Sequence, residues 1–168
     1  MKKFELTAEY VTNIFGKKLF RIKALVAFGD VEEGELGGFI EKESNLDNDG
    51  AAWVSGNAKV YGDAKVYGDA KVCGDAQVYG DAQVSDNLDY AIVGGFGREQ
   101  RTTTFFRQKD GMVGVKCGCF YGTLEEFRGK VKETHKDSKY AQEYLMIADL
   151  MELHFAGGSN GTEDGENQ

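Results

Sequence analysis

Residues 56–85 run GNAKVY, GDAKVY, GDAKVC, GDAQVY, GDAQVS, and weaker copies of this six-residue motif extend its frame from Gly38 to Ala91. Six residues are too few for a domain and do not match the period of a helix, about 3.6 residues. The pattern suits a chain that winds around a solid core with one short strand per repeat. Grouped in threes, the hexads predict coils over 38–55, 56–73 and 74–91. Residues eighteen apart would then stack at the spacing of paired strands, about 4.8 Å. Because strand side chains alternate between faces, the third and fifth positions of each hexad should point inward. In the middle these positions hold Ala58, Ala64, Ala70, Ala76 and Ala82, with Val60, Val66, Val72, Val78 and Val84. Ile40, Leu46 and Leu88 fall at the two ends and are expected to plug the core. Lys42 and Asn48 also take inward positions in the first coil. Gly-Asp or Gly-Asn pairs occupy the corners, where the backbone needs positive φ or a self-bonding side chain. The same frame stacks Tyr61 on Tyr79 and sets Trp53 beside Lys71.

The hexads resemble the left-handed parallel β-helix of hexapeptide-repeat proteins, in which an aliphatic residue is followed four positions later by a small one. Val60 with Ala64 and Val66 with Ala70 follow that pattern. The wider chain, with GELGGFIEKESNL at 34–46 and GFGREQRTTTFF at 95–106, resembles phage and prophage proteins that carry GNAKVYGDA repeats. The expected fold class is therefore mainly β: a left-handed parallel β-helix of about three 18-residue coils. An N-terminal β-hairpin cap and a C-terminal α+β unit ending in two helices would flank it. The resemblance further implies a homotrimer or higher homo-oligomer, and for many hexapeptide-repeat proteins an acyltransferase activity.

Outside the repeat the pattern changes. Residues 1–37 are expected to form a β cap, with strands over 10–15 and 18–28 around Gly16, covering otherwise unpaired strand edges. The repeat itself spans 38–91. Residues 92–155 predict further strands and then two helices. Thr123 and Glu126 form a capping box for the first, which runs to about Thr134. The second spans Ser138 to Phe155, with Tyr140, Tyr144, Ile147 and Met151 as its core face. The acidic, glycine-rich stretch 156–168 is expected to be disordered.

Composition narrows the function. Proline is absent from the 168 residues, no long apolar run occurs, and MKKFELTAEY lacks a secretory leader. The expectation is a protein without membrane partners, cytoplasmic, in the host cytoplasm if phage-encoded. Its three cysteines suit a reducing compartment. A net charge of −8 argues against general nucleic-acid binding, which needs a basic face. Basic residues nevertheless concentrate in 94–136.

Four readings of activity follow. Acyl transfer requires a general base, and the only histidines, His135 and His154, lie beyond the repeat. No catalytic residue is assigned. A zinc site at Cys117, Cys119 and His135 departs from the usual C-x₂₋₄-C spacing, so neither metal nor cofactor is expected. Anion binding has better support. Arg98, Arg101 and Arg107 are set among Gly, Thr and Phe, and arginine forms bidentate bonds to phosphate. The candidate ligand set is Arg98, Arg101, Thr103, Phe105 and Arg107. Alternation places Arg101, Thr103 and Phe105 on one strand face, so the full set could meet one ligand only with help from another subunit. Tyr61, Tyr67 and Tyr79, expected outward, are candidates for the oligomer interface. The expected function is a non-enzymatic oligomeric phage-type protein binding a small phosphorylated or nucleotide-derived ligand, sequestering a host immune signal. The alternatives are a hexapeptide-repeat acyltransferase-like enzyme and a scaffold protein without a small ligand.

Overall fold

Within each hexad only the Lys-Val or Gln-Val pair is extended enough to bond a neighbour, because the glycine that opens each repeat from Gly56 to Gly80 sits at φ between +64° and +70°. The strands of the repeat are therefore two residues long. The computed structural model describes residues 1–157. Its strands are β1 (Phe4–Thr12), β2 (Lys18–Ala24), β3 (Leu36–Ile40), β4 (Trp53–Val54), β5 (Lys59–Val60), β6 (Lys65–Val66), β7 (Lys71–Val72), β8 (Gln77–Val78), β9 (Gln83–Val84), β10 (Tyr90–Val93), β11 (Thr103–Arg107), β12 (Val113–Cys117) and β13 (Phe120–Thr123). Two helices follow, α1 (Leu124–His135) and α2 (Lys139–His154).

The architecture corrects the expected fold class. The strands form a five-stranded mixed sheet in the order β1-β2-β3-β5-β8, a four-stranded antiparallel sheet β10-β11-β12-β13, and two separate parallel pairs, β4-β7 and β6-β9. Among the described residues there is no single left-handed parallel β-helix, and with its two sizeable helices the molecule is mixed α and β. Two causes are visible. The parallel ladders are too short to merge, and the first is captured by the antiparallel strands β1–β3 through the Phe39–Lys59 and Ile40–Val60 pairs. Residues eighteen apart do face one another, as Lys59 with Gln77, Lys65 with Gln83 and Trp53 with Lys71.

The inward alanines and valines from Ala52 to Val84 are all buried, in one cluster with Ile40 and Leu46 from the start of the repeat. Leu88 does not close the other end. Residues 87–89 form a 3₁₀ turn whose preceding Asp86 accepts a hydrogen bond from the Leu88 amide, and Leu88 is left 65% exposed. Phe106 from β11 enters the cluster instead. Lys42 and Asn48 are exposed, since a 3₁₀ turn at Glu43–Asn45 interrupts the frame there. Trp53, the single tryptophan, packs edge-on against Phe28 at 5.4 Å while the Lys71 ammonium turns away to Asp30.

The second core lies between the antiparallel sheet and the helices. Phe105 and Val115 face Leu124, Phe127 and Val131 of α1 and Tyr144, Ala148 and Met151 of α2. Alternation on β11 thus sends Phe105 to the helices and Phe106 to the repeat, fastening the two cores together. Both helices begin as expected: Thr123 and Glu126 form the capping box of α1, and the Ser138 side chain caps α2. Tyr140 is exposed, and α2 also exposes Met146, Leu150 and Leu153. The expected tail at 156–168 lies, from 158 onward, outside the described residues. No helix among the described residues is long and apolar enough to cross a membrane.

Candidate functional site

Three elements converge beside the second core to enclose a cleft of about 360 Å³. The loop between β10 and β11 contributes Arg98, Glu99 and Arg101. The β12–β13 hairpin contributes Cys117, Gly118, Cys119 and Phe120. From the helices come Phe127, Lys130, Val131, Thr134 and His135 of α1 and Tyr144 of α2.

The loop is pinned at its base. Gly97 has φ +81°, and a Cβ there would strike the Tyr144 ring and hydroxyl. That hydroxyl donates to the Phe96 carbonyl at 3.1 Å. Gln100, between the two arginines, is held at φ +52°, a left-handed conformation costing roughly 1–2 kcal/mol outside glycine. Strain of this kind collects at sites the surrounding structure over-determines. Arg101 in turn lies over the hairpin turn, where Gly118 leaves room for its guanidinium.

The cleft combines two kinds of side chain. Arg98 and Arg101 have no carboxylate within salt-bridge distance among the described residues, while Lys130 makes only a 3.8 Å pair with Glu133. The rings form an aromatic wall: Phe127 meets Tyr144 edge-on at 5.7 Å and Phe120 at 5.9 Å, and His135 stacks on Tyr144 at 5.7 Å. Burial, assisted by neighbouring Cys117, pushes the Tyr144 phenol up to about 12, with Arg101 acting the other way. Tyr144 therefore remains a neutral donor near neutral pH. Such an arrangement can hold a flat ring against the wall and a multiply charged oxyanion against the guanidinium groups.

Of the residues singled out from the sequence, Arg98 and Arg101 meet in this cleft and the other three do not. Thr103 is buried and donates its hydroxyl to the Cys117 sulfur at 3.2 Å. Phe105 is fully buried and packs edge-on against Phe127 at 5.9 Å. Arg107 donates Nε to buried Asp89 at 3.1 Å and covers the Phe155 ring, fastening β11 to the end of the repeat and of α2. These three build the scaffold under the site. Phe120, Phe127, Lys130 and Tyr144 also line the cleft but are not among the site candidates of the sequence, which marks Tyr144 only as a core residue. Their signal was the helical spacing of Phe127, Lys130, Val131 and Thr134, which places a charge and a hydroxyl beside an apolar stripe.

The tyrosines are also placed differently. Tyr61 is 2% exposed and lies beneath Tyr79 at 4.5 Å, its hydroxyl donating to Gln77 at 3.0 Å. Tyr79 is covered by Phe15 and Tyr121. Tyr61 lies outside the repeat's own cluster, as expected, but Leu19 and Phe39 cover it, while Tyr79 is partly buried and Tyr67 half-buried. Cys117, Cys119 and His135 do line one cleft, yet no group of three or more metal-binding side chains occurs among the described residues. His154 ends α2, packed edge-on against Phe155. No protein-family model matches the chain, and no curated protein matches it.

Proposed function

We propose that this chain is a non-enzymatic, oligomeric binding protein that takes a small phosphorylated, nucleotide-type ligand at Arg98 and Arg101. The observation that carries this reading is a pair of guanidinium groups, without carboxylate partners among the described residues, that line one ligand-sized cleft together with the rings of Phe120, Phe127 and Tyr144. Ligand pockets span roughly 300–1,000 Å³, and this cleft sits at the mononucleotide end of that range. Phosphate would bond Arg98 and Arg101, and a base or other flat ring would lie against Phe120, Phe127 and Tyr144. Given the resemblance to phage proteins, the ligand is a nucleotide-derived host immune signal, sequestered in the host cytoplasm. The exposed stripe Met146, Leu150 and Leu153 on α2 supports self-association.

Native mass spectrometry of the protein with a panel of nucleotide signals tests each part. The expected spectrum shows a homotrimer or larger assembly carrying stoichiometric, unmodified ligand. Arg98→Ala and Arg101→Ala should each weaken binding about tenfold or more, the loss of a charge-assisted phosphate bond. Unchanged binding in both variants would remove the ligand from this cleft, and a chemically altered ligand would make the protein an enzyme.

A further inference from the structure

The cleft also contains two thiols that ligand binding leaves unused. Cys117 ends β12 and Cys119 occupies the second position of the two-residue turn Gly118–Cys119, closed by the Cys117–Phe120 pair. Gly118 at φ +57° folds the chain sharply between them. Cα atoms two residues apart in such a turn are about 5.5 Å apart, inside the roughly 4.4–6.8 Å window a disulfide requires.

The two sulfurs have different surroundings. Cys119 is exposed, whereas Cys117 is half-buried and receives the Thr103 hydroxyl at 3.2 Å. Lys116 is buried, and its ammonium donates to the carbonyl of Gly118, the residue separating the cysteines. Burial holds the Lys116 amine below its ordinary value, and Cys119 and Cys117 act in the opposite sense. Cys73, the remaining thiol, is exposed and sits near the Tyr90 hydroxyl, away from both.

We propose that Cys117 and Cys119 are a dithiol–disulfide couple on the cleft, exchanging with a small, carboxylate-bearing peptide disulfide of the glutathione class. The anionic character of that partner rests on the reading of Arg98 and Arg101 as an anion site. The exposed Cys119, as thiolate, attacks one sulfur of the peptide disulfide. Its S–S bond breaks, and the departing thiolate takes up the proton that Cys119 released. Cys117 then attacks the Cys119 sulfur of the mixed disulfide, expelling the second peptide thiolate, which takes up the Cys117 proton. Two electrons pass from the protein to the peptide disulfide, leaving a Cys117–Cys119 disulfide and two peptide thiols.

The test incubates reduced full-length protein with oxidised glutathione and follows intact mass and peptide maps. The expected product has lost two hydrogens, with Cys117 and Cys119 joined within one peptide. Cys117→Ser should accumulate the mixed disulfide at Cys119, faster than Cys73 reacts in the same molecule. A combined Arg98→Ala, Arg101→Ala variant should slow exchange with oxidised glutathione about tenfold. The same variant should slow exchange with neutral hydroxyethyl disulfide less, so that the ratio of the two rates falls. Free thiols at both positions, or two separate glutathione adducts without an internal bond, overturn the couple. Equal slowing with both disulfides overturns the anionic partner. Nucleotide binding is measured separately on the reduced protein, so exchange without nucleotide binding sinks only the proposed function, and the converse sinks only the couple.

Discussion

Gly97 shows how much one position decides at the site. Its φ of +81° disfavours any side chain, and its Cα surface is covered by Tyr144. Gly97→Ala should lower stability by about 1–3 kcal/mol and also displace the loop that presents Arg98. A urea midpoint and nucleotide affinity read on the same variant check this; an unchanged affinity would detach the loop from the site. The sequence showed Gly97 only as one of several glycines in GGFG. Its importance comes from Tyr144, some forty-seven positions away, and no local pattern announces that contact. The same limit explains Arg107. As a residue type it looked identical to Arg98 and Arg101, and the difference is Asp89, buried at the far end of β11.

At the scale of elements, what was legible is what local chemistry determines. Thr123 with Glu126 and Ser138 marked the starts of α1 and α2, because a cap is satisfied within one turn. Alternation on β11 correctly split Phe105 from Phe106. Thr123→Ala should cost about 1 kcal/mol, measurable as a shift in the thermal midpoint; because α1 supplies Phe127 and Lys130, ligand affinity should fall with it. Where Leu88 points was not legible, since the 3₁₀ turn set by Asp86 competes with the strand period and prevails. The sheets differ from the expected coil for a related reason. Pairing of β3 with β5 brings antiparallel strands from the N-terminal segment into the same sheet as the repeat, and the hexads carry no trace of that partner.

The whole molecule makes its alkaline behaviour predictable. Burial, first among the causes, pushes the phenols of Tyr61, Tyr90 and Tyr144 up to about 12 in the folded chain. In the unfolded chain they return to about 10. Between those values the unfolded state binds fewer protons, so stability is fully present below about pH 10 and falls as pH rises toward 12. Urea midpoints taken across that range should decline, and Tyr61→Phe should flatten the decline; a flat profile in the parent protein would refute the burial of these phenols. The three tyrosines lie in different parts of the chain, so the loss should be global.

Trp53 gives the molecule a built-in optical reporter. It is the only indole, it is buried against Phe28 in the repeat's cluster, and its Nε1 has no hydrogen-bond partner among the described residues. The cleft, by contrast, is framed by Phe120, Phe127 and Tyr144. Emission from Trp53 should therefore be blue-shifted in the native state and unmoved when ligand fills the cleft, then red-shift only as the repeat opens. Fluorescence and ligand titrations thus record two separate events in one sample, and a shift in emission on ligand addition would mean that the two cores are energetically linked.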